Sequence, residues 1–119
     1  MKATFVELPP FQRVRSEYLD DEAYRELQRA LMANPLAGDV IQGTGGLRKV
    51  RRPDPRRGKG TRGGLRVIYY WWDGGGQFWL FTVYDKDVAD DLTPNQRKSL
   101  AARLNQEVDA RQPQKGKKS

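Results

Sequence analysis

The chain contains no cysteine and no histidine. The first absence removes disulfides and thiolate metal sites, and the second removes the commonest ligand for zinc or copper. Missing histidine also takes away the usual acid and base at neutral pH, so any catalytic site must be built from Lys, Tyr, Asp or Glu. Serine and cysteine triads are excluded. No apolar run approaches the roughly 20 residues of a membrane span, and Met1-Lys2-Ala3-Thr4-Phe5-Val6-Glu7 lacks the apolar core of a secretory signal. The chain therefore reads as cytoplasmic, with no membrane partner. Its 119 residues, 37% hydrophobic and 10% aromatic, suffice for a single core. That domain is expected over residues 1–111, followed by a disordered basic tail at 112–119.

What the chain has in excess is positive charge in one place. Between Arg48 and Arg66 stand Arg48, Lys49, Arg51, Arg52, Arg56, Arg57, Lys59, Arg62 and Arg66 against the single acid Asp54, a local balance of +8 in a chain of net charge +7. Everything else sums to about −1. Glycines at 43, 45, 46, 58, 60, 63 and 64 are interspersed with these cations and let the backbone approach a ligand. A polyanion such as nucleic acid is the partner that this clustering suits, and a solvated loop is the bland alternative.

The elements follow from periodicity and punctuation. Ala3 to Leu8 alternates as a strand, and Pro9-Pro10 is expected to stop it. Phe11 to Leu19 and Asp20 to Ala33 carry helical spacing, with Asp20, Asp21 and Glu22 at the positive end of the second helix and Asn34-Pro35 after it. Leu36 to Gly46 reads as a loop. Leu47 to Arg51 reads as a strand whose alternation sends Leu47, Lys49 and Arg51 to one face, and Arg48, Val50 and Arg52 to the other. Pro53 to Gly64 is expected to be a mobile loop. Leu65 to Trp72 and Phe78 to Tyr84 form a hairpin across Asp73-Gly74-Gly75-Gly76. With helices on one side, such a sheet would leave aromatic surface and Arg66 on the other. Thr93 with Gln96 is a capping box, Pro94 suits the first helical position, and Leu100, Leu104 and Val108 make a stripe along the helix that follows.

Three segments carry a family likeness: Gly38-Asp39-Val40-Ile41-Gln42-Gly43-Thr44-Gly45-Gly46-Leu47-Arg48-Lys49-Val50-Arg51; Gly58-Lys59-Gly60 with Arg62-Gly63-Gly64 and Arg66-Val67-Ile68-Tyr69-Tyr70; and Thr82-Val83-Tyr84 with Lys86, then Asp91-Leu92-Thr93 with Asn95-Gln96-Arg97. In this order they resemble the RelE/ParE toxin superfamily, most closely its HigB-type members. The resemblance implies a small α+β fold, an antiparallel-rich twisted sheet with an N-terminal helical hairpin and a C-terminal helix. It further implies a type II toxin that cleaves translated messenger RNA in the ribosomal A site by attack of the 2′-hydroxyl on the adjacent phosphate. Neither metal nor cofactor is implied, and the partners are the ribosome, its messenger RNA and a HigA-like antitoxin.

By position in the family pattern, the catalytic group would be Lys49, Arg51, Arg66, Tyr84 and Lys86. Arg66 would stabilise the transition state, Lys49 would act as base, Arg51 and Lys86 would orient the phosphate or protonate the leaving group, and Tyr84 would stack on a base or donate a proton. Arg48, Arg52, Arg56, Arg57, Lys59 and Arg62 would contact RNA or ribosome. The chain departs from the family's messenger RNA cleaving pattern after the fourth strand, where an arginine and a tyrosine are replaced by Asp87 and Thr93. A gyrase inhibitor of the same fold and a noncatalytic RNA-binding or ribosome-binding module are the other readings.

Overall fold

The computed structural model describes residues 2–57, 64–87 and 92–111. In chain order these form β1 (Thr4–Glu7), α1 (Pro9–Tyr18), α2 (Asp21–Ala33), β2 (Asp39–Val40), β3 (Arg48–Arg52), β4 (Leu65–Trp72), β5 (Gln77–Asp85) and α3 (Pro94–Arg111). The strands make one sheet in the order β1-β5-β4-β3-β2. β1 runs parallel to β5, and the other neighbours are antiparallel. Among the described residues no helix is long and apolar enough to cross a membrane.

β1 ends ahead of Pro9 and Pro10 as expected, and the two prolines also open α1, ahead of the Phe11 start that the spacing gave. The first turn of a helix has no use for the amide donors that proline lacks, and the fixed φ of proline already suits it. Asp20 caps α2 by accepting a hydrogen bond from the Ala23 amide at 2.8 Å. One face of each helix then closes over the sheet. Phe11, Leu19, Leu27 and Leu31 pack with Leu65, Val67 and Tyr69 of β4 and Phe78 and Leu80 of β5. The Tyr24 hydroxyl donates to a Glu7 carboxylate oxygen at 2.6 Å and ties α2 to the edge strand β1.

The other face of the sheet is covered too. The Leu100, Leu104 and Val108 stripe of α3 packs with Leu8, Leu47, Ile68, Trp79 and Phe81. Strands with large apolar side chains on both faces must bury both, and α3 supplies the second cover. The capping box begins α3 as the spacing predicts: the Gln96 amide donates to Thr93 Oγ1 at 3.1 Å, and the Thr93 amide donates to Gln96 Oε1 at 2.8 Å.

Two local features set the site. In the ladder between β4 and β5, Ile68 faces Thr82 while Tyr69 faces Leu80, so Phe81 is an extra residue on β5. This bulge resets the alternation. Phe78 and Leu80 face α1 and α2, and by simple alternation Tyr84 would join them; after the bulge Val83 takes that face and Tyr84 turns toward α3. Secondly, residues 36–46 are more than a loop, because Asp39 and Val40 pair with Lys49 and Arg48. Gly38 permits the pairing, since a Cβ there would stand 2.8 Å from the backbone of Lys49. The Gly38 amide donates to the Tyr69 hydroxyl at 3.0 Å, and that hydroxyl donates to the Pro35 carbonyl at 2.8 Å.

The start of the expected mobile loop is anchored. Asp54 is fully buried beside a short 3-10 turn, Pro55–Arg57. Residues 58–63, with Lys59 and Arg62, lie outside the described residues, as does the expected tail at 112–119.

Candidate functional site

The middle of the α3-facing side of the sheet is lined by cations. Arg51 stands directly opposite Arg66 across β3 and β4, and Arg66 stands directly opposite Tyr84 across β4 and β5. Such partners hold their side chains on one face, about 5 Å apart at Cβ. Lys49 shares the face two residues before Arg51, in register with Ile68 on one side and Asp39 on the other. Arg66 is 9% exposed, and its Nη1 donates to the Leu65 carbonyl at 3.3 Å. The Tyr84 hydroxyl is shielded from solvent. Two guanidinium groups placed opposite each other weaken a ladder, and an anion between them reverses the sign of that effect.

α3 contributes a further cation to which sequence reasoning gave no role. Arg97 donates from Nη2 to the Leu92 carbonyl at 3.4 Å, and its Nε is buried with no hydrogen-bond partner among the described residues. With Asp39, Gln42, Lys49 and Arg51 it lines a cavity of about 280 Å³. A signal for Arg97 existed in the sequence. It continues the Leu100, Leu104, Val108 stripe one step toward the N-terminus, so a charge stands on the inward face of an amphipathic helix. Asp39 had no comparable signal, because its place opposite Lys49 depends on the Gly38 approach.

The remaining expected contacts fall elsewhere. Lys86 is exposed beyond the end of β5, its amide donating to the Gly64 carbonyl at 3.1 Å. Arg48 turns to the opposite face and donates to the Gly38 carbonyl at 2.7 Å. Arg52 lies against Leu19, Ala23 and Glu26; burial pushes its guanidinium below the ordinary value, with the Glu26 charge opposing. Arg56 donates from Nε and Nη2 to the two oxygens of Asp54 at 2.9 and 2.7 Å and from Nη2 to Asp85 at 2.8 Å, with its guanidinium 4.6 Å from the centre of the Tyr18 ring. The hydrogen bond to Asp54 leads in holding Arg56 above its usual range, with Asp85 adding to it. Arg57 closes the 3-10 turn, and its side chain is outside what is described. The structure thus brings together Lys49, Arg51, Arg66, Tyr84 and Arg97, and separates them from Arg48, Arg52 and Arg56.

Chemically, this face fixes permanent positive charge beside a lysine, a carboxylate and a phenol. Among the described residues no group of three or more His, Cys, Asp or Glu is placed to hold a metal ion.

A five-stranded open sheet with a helical hairpin on one face, a C-terminal helix on the other and cations on its central strands defines the RelE-like α+β class, and that is the fold of this chain. The particular likeness is to the E. coli toxin RelE, in the free state of a double arginine-to-alanine variant, with a TM-score of 0.55 over 87% of this chain and 98% of that one. At 13% identity the two share architecture while their side chains have diverged. No protein-family model matches the chain.

Proposed function

We propose that the protein is the toxin of a type II toxin–antitoxin pair, an endoribonuclease that cuts messenger RNA in the ribosomal A site and is neutralised by a HigA-like antitoxin. The observation that carries this reading is the opposed pair Arg51 and Arg66, with Lys49 beside it and Tyr84 next in the row. In the reaction the 2′-oxygen bonds to phosphorus and the bond from phosphorus to the 5′-oxygen breaks. Arg51 and Arg66 take up the charge that grows on the non-bridging oxygens. Lys49 accepts the 2′-hydroxyl proton, and Tyr84 supplies a proton to the departing 5′-oxygen. The products are a 2′,3′-cyclic phosphate and a 5′-hydroxyl end. The fold likeness to RelE supports the same reading.

The test is to map 5′-hydroxyl ends across the transcriptome after brief induction, comparing wild type, Arg66→Ala and wild type with translation blocked. New ends inside reading frames are expected in the first alone, with loss of roughly 10²-fold or more in the variant. Thermal unfolding of purified Arg66→Ala separates lost chemistry from lost fold. Growth arrest without new ends would overturn the nuclease reading and favour gyrase inhibition or passive ribosome blocking.

A further inference from the structure

The N-terminal half of α3 borders a second cavity, separate from the one that Arg97 lines. It measures about 410 Å³ and lies between the start of α1, the end of β5 and α3, with Pro10, Leu92 and Leu100 in its wall, Tyr84 and Thr82 at its base, and Asn95 and Ser99 among its lining. We propose that this cavity is a nucleobase subsite, holding the base of the nucleotide adjacent to the phosphate gripped by Arg51 and Arg66. The proposal rests on the ribonuclease reading above and adds to it the place where sequence is read.

Tyr84 connects the two sites. It is the register partner of Arg66 in the cation row, and it also lines the cavity. A phosphate held at Arg66 is therefore one cross-strand step from the cavity, which is the scale on which a base is joined to its own phosphate. Among the described residues the lining carries no lysine, arginine, aspartate or glutamate, which suits a base. Single-stranded RNA is recognised by packing unstacked bases against aromatic and apolar walls while polar groups meet their edges. Asn95 and Ser99 stand four residues apart on one face of α3 and are exposed. The capping box engages Thr93 and Gln96 and not these two side chains. An amide that both donates and accepts, one turn from a hydroxyl, matches the mixed donor and acceptor edge of a base.

The test uses the same 5′-end maps, read now for base preference around each cut, with Asn95→Ala, Ser99→Ala and Ser99→Phe, the last of which places a ring in the cavity. The two alanine variants are expected to redistribute cuts, changing the preference at one fixed position beside the cleaved bond by about tenfold. Ser99→Phe is expected to depress cutting at all sites. Unchanged preference in all three variants, with wild-type cutting intact, would overturn the subsite and leave the nuclease standing. If wild type makes no cuts, the nuclease reading fails by itself; titration of a dinucleotide carrying a 2′-deoxy group then still tests the cavity, with Leu92 and Tyr84 amide shifts expected and their absence refuting it. Loss of antitoxin neutralisation without any change in cutting would assign the cavity to a protein side chain instead.

Discussion

Replacing Arg56 by alanine separates two accounts of the same residue. As one cation among nine in a basic segment it would contact RNA, whereas its hydrogen bonds tie the 3-10 turn after β3 to the end of β5. The structure allows the loss to be sized. Two charge-assisted bonds to the fully buried Asp54, one to Asp85 and a stacking contact on Tyr18 disappear together. Bonds to charged groups contribute roughly 1.5–3 kcal/mol each where water cannot replace them. The Arg56 side chain is 39% exposed, so water replaces part of what is lost, and the Arg56 amide keeps its own bond to Asp54 at 3.0 Å. A net cost of about 2–3 kcal/mol follows. For a domain of this size that lowers Tm on the order of 10 °C. Urea unfolding should show a lower midpoint at an unchanged slope, because the surface exposed on unfolding stays the same. RNA cutting measured well below the melting temperature should be retained. A wild-type midpoint combined with lost cutting would refute the reasoning and return Arg56 to the RNA surface.

Gly38→Ala puts a methyl group 2.8 Å from the Lys49 backbone, so the β2–β3 pairing must open; a loss of roughly 1–3 kcal/mol in chemical unfolding is expected, together with reduced cutting, because Asp39 and Lys49 move apart. Tyr24 gives a pH dependence. Burial first, then the hydrogen bond to Glu7 and its charge, push the phenol upward, so above about pH 10 the unfolded chain loses a proton that the folded chain keeps. Stability supplied by Tyr24 is thus full below that pH and declines as pH rises past it. Tyr24→Phe should be less stable than wild type by about 1 kcal/mol at neutral pH, and the gap should narrow in alkaline thermal melts.

Features that depend on a few neighbouring residues were legible in the sequence. The Thr93–Gln96 capping box begins α3 where its spacing says, the alternation of β3 separates Lys49 and Arg51 from Arg48 and Arg52, and the aromatic runs of β4 and β5 make the hairpin. Features that depend on what lies across the fold were not. Asp54 reads as an isolated acid in a basic loop until Arg56 and Asp85 are seen around it. Arg97 enters the site only because α3 crosses the face that the strand pattern alone leaves uncovered.

The extra residue at Phe81 changes the parity of β5. Ahead of it even-numbered positions belong to the α1 and α2 side, and beyond it odd-numbered ones do. The strand therefore answers to two masters that can be altered separately: Phe78, Trp79 and Leu80 to the core, Tyr84 to the cation row. Removing Phe81 would take out the bulge and leave Tyr84 three regular steps after Leu80, still on the α3 side and opposite Arg66. Any residue-by-residue match of this strand to a relative without the bulge needs a one-residue gap there, or it will pair Arg66 with the wrong neighbour.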